Sequence, residues 1–215
     1  MKNTLSFQFS RAVETYEEWA LPQRESARLL VEFINPRGKV LDLGCGTGFV
    51  SEYLENCEVL GLDISPKMVE VYKERHGIAV LGNAENLPFK DKSFDYVVSN
   101  FSLHWTDWKK SISEAIRVAK VCVGIAMPVK GSVSFSSFPF PDEEDILNTF
   151  FPKEYKILNM EIPFEGLDLI KFFHYTGTAN YKGKNKLKTR VELLKLAKSI
   201  KGEYFRMLFL KITLT

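Results

Sequence analysis

The segment Leu41-Asp42-Leu43-Gly44-Cys45-Gly46-Thr47-Gly48 carries the densest chemistry in the chain. Three glycines at alternate positions let the backbone turn at positive φ and pass close to a ligand. The spacing is GxGxG. A dinucleotide site has GxGxxG and sets a pyrophosphate at a helix start. Asp42 stands just before the loop. A carboxylate there suits a ligand bearing a positive ammonium and disfavours a diphosphate. Cys45 has no evident base partner and reads as a small apolar filler.

Asp63 ends Val59-Leu-Gly-Leu-Asp63, fifteen residues past Gly48. A carboxylate at a strand end beside a glycine loop accepts two hydrogen bonds from ribose hydroxyls. Ile64 and Met68 supply an apolar wall for an adenine ring. Asn83 and Ala84, within Leu81-Gly-Asn-Ala-Glu-Asn-Leu-Pro-Phe89, would meet its edge. Phe94-Asp-Tyr-Val-Val-Ser-Asn100 brings Asn100 and Phe101 to the mouth of a further strand.

These segments need a frame that gathers strand ends. Short apolar runs alternate with helical patterns, which argues for an α/β sheet. Arg24 to Ile34 sets Ala27, Leu30, Val31 and Ile34 on one helical face, and Pro36-Arg-Gly38 ends it. Strands are predicted at 39–43, 58–62, 78–81, 94–99 and 121–127, with a helix at 48–54. Ser65-Pro66 reads as an N-cap with proline in the first turn of a helix to His76. Asp107 caps a helix carrying Trp108, Ile112, Ala115, Ile116 and Ala119 on one face. Pro128 to Pro141, rich in Pro, Ser and Phe, reads as a loop or partial lid. A helix from Asp142, strands at 155–162 and 204–214, and helices at 167–175 and 191–200 complete the chain. The sum is seven strands with helices on both faces. All the chemical segments fall at carboxyl ends of parallel strands, where open α/β sheets bind ligands.

With 215 residues, 45% of them apolar, the chain can bury a full core without disulfides or metals. No stretch approaches the ~20 apolar residues of a membrane span. The first ten residues lack the apolar core of a signal peptide. Three unclustered cysteines (Cys45, Cys57, Cys122) fit a reduced, cytoplasmic protein. His76, His104 and His174 show no ligand spacing, so no metal is expected.

Through Asp42–Gly48, Asp63, Asn83–Phe89 and Asn100 the sequence resembles the class I S-adenosylmethionine-dependent methyltransferases. The resemblance implies a Rossmann-like seven-stranded mixed sheet and S-adenosylmethionine as cofactor. Asp42, Gly44, Cys45, Gly46, Gly48, Asp63, Ile64, Met68, Asn83, Ala84, Asn100 and Phe101 would bind it. Asn83 stands where the family more often has Asp; its side-chain carbonyl can still accept from the adenine amino group. Residues 1–215 would form one methyltransferase domain, with 1–23 an N-terminal lid or helix and 128–150 a substrate-side insertion.

Within that class, Phe9 to Arg24, Asn100-Phe-Ser-Leu-His-Trp105, Ile112 to Val118, Gly131-Ser132, Tyr175-Thr-Gly-Thr178 and Met207-Leu-Phe-Leu210 resemble the malonyl-acyl-carrier-protein O-methyltransferases of biotin synthesis. This implies methyl transfer to the free carboxylate of malonyl-acyl-carrier protein or malonyl-CoA. Tyr16, Trp19, Phe101 and Trp105 would wall a dry pocket facing the sulfonium, and His104 would hydrogen-bond the acceptor. Arg11, Arg117 and Arg190 are candidate clamps for its carboxylate. The alternatives are another small acid of the trans-aconitate type, a quinone-type acceptor, or a binding module without catalysis.

The formal charge of +2 conceals an asymmetry. Residues 1–150 hold 16 basic and 21 acidic side chains; residues 151–215 hold 13 and 6. The basic excess centres on Lys182, Lys184, Lys186, Lys188 and Arg190. Acyl carrier proteins are acidic, and such a patch would steer one to the active-site mouth. The overall balance speaks against wholesale nucleic-acid binding, and the run has Tyr181 as its only aromatic for base stacking.

Overall fold

The computed structural model describes residues 15–136, 138–176, 178 and 190–214. The expected Lys182, Lys184, Lys186 and Lys188 docking run and Arg11 lie outside the described residues, as does most of the 1–23 segment. A short helical turn at 15–19 precedes α1 (Leu21–Ile34). The chain then continues through β1 (Gly38–Leu43), β2 (Cys57–Asp63), α2 (Pro66–His76), β3 (Ala79–Leu81) and β4 (Phe94–Asn100). After these come α3 (Trp108–Val118), β5 (Ala119–Pro128), α4 (Glu143–Phe150), β6 (Glu154–Glu161), α5 (Gly166–Tyr175), α6 (Arg190–Ser199) and β7 (Tyr204–Thr213).

The strands form one sheet in the order β3-β2-β1-β4-β5-β7-β6. β1 to β5 pair in parallel, and β7 runs antiparallel to both β5 and β6. This is the mixed seven-stranded sheet the sequence implied. Chain order reverses between β1 and β4, so the carboxyl ends of β1, β2 and β4 flank one crevice. Open α/β sheets place ligands at such a switch point.

Alternation along each strand divides the core in two. Val97 and Val98 are neighbours on β4, yet Val97 packs with Ile112, Val118 and Ile146 while Val98 packs with Leu30, Ile34 and Phe172. Thus α3 and α4 cover one face, and α1 and α5 the other. β1 is buried along Val40–Leu43, as expected for a parallel strand covered on both faces.

Local signals set the element ends. Ser65 Oγ accepts from Met68 N–H and Pro66 opens α2. Asp107 and Asp142 cap α3 and α4 in the same way. One expectation fails: no α-helix spans 48–54. Gly48 has φ 107, Leu54 is extended, and only a 3-10 turn at Ser51–Tyr53 forms. Too few residues remain between them to offset the cost of nucleating a helix.

Candidate active site

The glycine loop leaves β1 and turns across the end of β2. Gly44 and Cys45 both donate N–H to Leu62 O, at 2.7 and 3.0 Å. Gly44 sits at φ +72, and a Cβ there would lie 1.8 Å from Ser102 Oγ. Gly46 donates N–H to Asp63 Oδ2 at 3.0 Å, and a Cβ on it would meet nothing within 4 Å. The space over Gly46 is the cleft. Gly48 is tight for another reason: the His76 imidazole lies 2.2 Å from where its Cβ would stand.

The cleft has a cavity volume of about 110 Å³ and opens to solvent. Gly44, Gly46, Asp63, Ile64, Met68, Asn83 and Ala84 line the side built from the residues that follow β1, β2 and β3; Asn100, Phe101 and Trp105, from the end of β4 onward, and Tyr16 complete the lining. Asp63 Oδ1 accepts from Ser65 N–H at 2.8 Å, so both oxygens hold backbone while keeping free lone pairs. Burial raises its carboxyl above the usual range. Asn83 Oδ1 accepts from Glu85 N–H at 3.2 Å, which fixes the side chain at the cleft wall.

Across the cleft, burial and the charge of Asp63 push the Tyr16 phenol well above its ordinary value. Its ring stacks on Phe49 at 5.7 Å. Asn100 is bound on both ends: Oδ1 accepts from Ser26 Oγ at 2.7 Å and Nδ2 donates to Gln23 O at 2.8 Å. These bonds fasten β4 to α1. Phe101 follows in the left-handed region, φ 50, and donates N–H to Ala126 O. A bulky residue held there is strained by ~1–3 kcal/mol, a feature that concentrates at functional sites.

Five residues expected to bind cofactor or wall the pocket do not line the cleft. Asp42 is 1% exposed and accepts from Ser51 Oγ at 3.0 Å. Its side chain is spent on an inner network that includes Tyr72 OH, 2.6 Å from Ser51 Oγ. Burial pushes its carboxyl up to about 7. Cys45 packs with Val69, Tyr72 and Ala79, and burial raises its thiol. Gly48 is covered by His76. His104 is buried, its imidazole pushed down to about 3 by desolvation. Trp19 packs on Phe164 and Tyr175. Arg117 is no clamp: its guanidinium donates to Glu114, Asp91 and the carbonyls of Phe89 and Leu87. Arg190 is described as the first residue of α6.

Leu62, Gly82, Glu85, Ser102 and Thr106 also line the cleft and were not singled out in sequence. Gly82 carried a readable signal, a glycine just past a strand. The Ser102–Gly44 contact joins residues far apart in the chain, and no local pattern announces it.

The adenosine part of S-adenosylmethionine fits this side of the cleft. Gly46 offers open space, Asp63 offers acceptor lone pairs, and Ile64 and Met68 offer an apolar wall. Residues 41–121 match the family described as Methyltransferase domain. The matched span holds the glycine loop, Asp63, Asn83 and Asn100, so the segment that builds the cleft is similar to a methyltransferase domain. A solved S-adenosylmethionine-dependent methyltransferase of Thermotoga maritima shares the fold, with TM-score 0.64 and 20% identity over 96% of this chain and 98% of that one.

Among curated relatives, malonyl-[acyl-carrier protein] O-methyltransferase of Herminiimonas arsenicoxydans is 38% identical over 125 residues, 55% of this chain and 48% of that protein. Demethylmenaquinone methyltransferase of Thermotoga maritima is 38% identical over 105 residues, 46% of this chain and 45% of that protein. The matches thus span about half the length of the curated relatives. No helix of the described residues is long and apolar enough to cross a membrane.

Proposed function

We propose that the chain is a carboxyl O-methyltransferase that esterifies the free carboxylate of a malonyl group carried on acyl carrier protein or CoA, an early step of biotin synthesis. The observation that carries this reading is the lack, among the described residues lining the cleft, of a group poised to take a proton. Asp63 holds Gly46 and Ser65 N–H on the adenosine side of the cleft, away from the acceptor, and Glu85 accepts from Asp107 N–H at 3.1 Å. Burial makes the Tyr16 phenol a poor acid and the His104 imidazole a poor base. An acceptor that is already an anion needs no base. Methylation of a ring carbon or a hydroxyl does.

When bound, S-adenosylmethionine supplies an electrophilic methyl group on a positively charged sulfur. The glycine loop and Asp63 hold the adenosine side. Tyr16, Phe101 and Trp105 exclude water from the acceptor side. The charges of acceptor and sulfonium diminish together in the transition state, so a dry wall favours it. Holding the acceptor beside the methyl group supplies much of the remaining rate.

The basic run with Lys182, Lys184, Lys186, Lys188 and Arg190 would dock the acidic carrier. Reversing Lys184, Lys186 and Lys188 should slow the reaction on the carrier and flatten its salt dependence. An unchanged rate and salt slope would discard the docking role. The deciding assay incubates labelled S-adenosylmethionine with malonyl-acyl-carrier protein, malonyl-CoA, trans-aconitate or a demethylmenaquinol. A base-labile methyl ester on the malonyl substrates is expected. Label on the quinol alone would favour the second reading, which the Thermotoga relative suggests. Titration with S-adenosylmethionine that shows no binding would indicate a module without catalysis.

A further inference from the structure

His104 is 7% exposed, and its Nδ1 is buried with no hydrogen-bond partner among the described residues. The ring is boxed by aromatics. Trp105 lies 5.0 Å away, Phe138 5.6 Å, Phe140 6.1 Å and Phe101 6.3 Å, between centroids. Two of these walls, Phe101 and Trp105, also line the cleft on its acceptor side. The box therefore adjoins the cleft through Phe101 and Trp105, and an acceptor group would reach the ring nitrogen where these two rings part. An apolar residue would fill such a box at no polar cost. An unpartnered ring nitrogen there is destabilising.

We propose that His104 is the acceptor-positioning residue, its Nδ1–H donating to the carboxylate oxygen of the acceptor that does not attack the methyl group. This rests on the carboxylate reading above. The neutral ring carries one proton, which sits on Nδ1 when an acceptor oxygen faces it. A neutral donor has a chemical advantage at this place. Lys or Arg would pair with the carboxylate and drain the nucleophilicity that the transfer needs. A single N–H orients the anion and leaves its charge in place. Desolvation of the box keeps the imidazole neutral through the working pH range, so the donor does not turn into an ion-pair partner.

The test separates the two ring nitrogens. His104→Asn sets an amide near the position of Nδ1, His104→Gln sets one near Nε2, and His104→Phe keeps only the ring. Each is assayed with S-adenosylmethionine and malonyl-CoA. Affinity for S-adenosylhomocysteine confirms an intact fold and cofactor side. His104→Phe and His104→Gln should lose about 10- to 100-fold in kcat/KM, the worth of one hydrogen bond to a charged group, and His104→Asn should recover most of it. Equal losses in all three, or none, overturn the proposal while leaving the malonyl reading intact. If wild type methylates trans-aconitate or the quinol instead, the malonyl reading fails, and the same three-way pattern on that acceptor decides the role of His104. If it methylates none of them, equilibrium binding of malonyl-CoA decides. Binding at least tenfold weaker in His104→Phe supports the role, and equal binding overturns it.

Discussion

Gly46 donates its backbone N–H to Asp63 Oδ2 at 3.0 Å, joining the loop after β1 to the end of β2. Oδ1 of the same carboxylate accepts from Ser65 N–H, the N-cap of α2. One side chain thus fixes a loop, a strand end and a helix start. Both oxygens face donors, so an amide must turn its NH₂ onto one of them. Asp63→Asn is therefore expected to be as damaging as Asp63→Ala. Each should weaken S-adenosylhomocysteine binding by roughly 100-fold, the loss of two charge-assisted bonds. Calorimetric titration measures this. Asn within threefold of wild type would contradict the geometry.

Gly44 and Gly46 are both at positive φ, yet substitution should fail for different reasons. A Cβ on Gly44 meets Ser102 Oγ and Cβ at 1.8 and 2.4 Å. Gly44→Ala should destabilise the fold by ~2–4 kcal/mol, from steric overlap added to left-handed backbone. Adding Ser102→Gly should recover part of that. A Cβ on Gly46 meets only the cleft. Gly46→Ala should cost ~1–2 kcal/mol of stability from φ alone and abolish cofactor binding. Denaturant unfolding and calorimetry on the same variants separate the two.

What the sequence made legible was local or periodic. Ser65-Pro66, Asp107 and Asp142 announced three helix starts, and each caps one. Strand patterning gave seven strands, and the mixed end of the sheet came from the family resemblance. Asp63, Asn83 and Phe101 came from their places at strand ends, which chain order alone supplies. Asp42 misled because sequence gives its position on β1 but not its side-chain partners; Ser51 and Tyr72 take it inward. The aromatic box around His104 was hidden in the same way, since Phe138 and Phe140 reach it from a distant loop. The Ser102–Gly44 fit had no signature at all.

Arg117 illustrates how a plausible clamp becomes a brace. Its guanidinium reaches Glu114, Asp91 and two backbone carbonyls, tying α3 to the loop before β4. Arg117→Met should lower stability by ~1–3 kcal/mol, through carbonyls and Glu114 left short of donors. KM for the acceptor should stay within twofold. A selective rise in KM would restore the clamp role.

Asp42 and His104 should tilt the pH dependence of stability in opposite directions. The Asp42 carboxyl rises from 3.8 to about 7, so the folded chain keeps a proton that the unfolded chain has released. That contribution is lost as pH climbs from about 4 to about 7. The His104 imidazole falls from 6.5 to about 3, so the unfolded chain takes a proton the folded chain refuses. That contribution is lost as pH drops from about 6.5 to about 3. In Asp42→Asn the amide oxygen still accepts from Ser51, and the first slope vanishes. Relative to wild type this variant should gain stability as pH rises, by on the order of 3 kcal/mol at pH 8. His104→Phe should instead gain, relative to wild type, as pH falls below about 6. Urea unfolding at about pH 4.5, 6 and 8, without cofactor, reads both slopes. Curves parallel to wild type for either variant would mean that the buried group does not titrate differently in the two states.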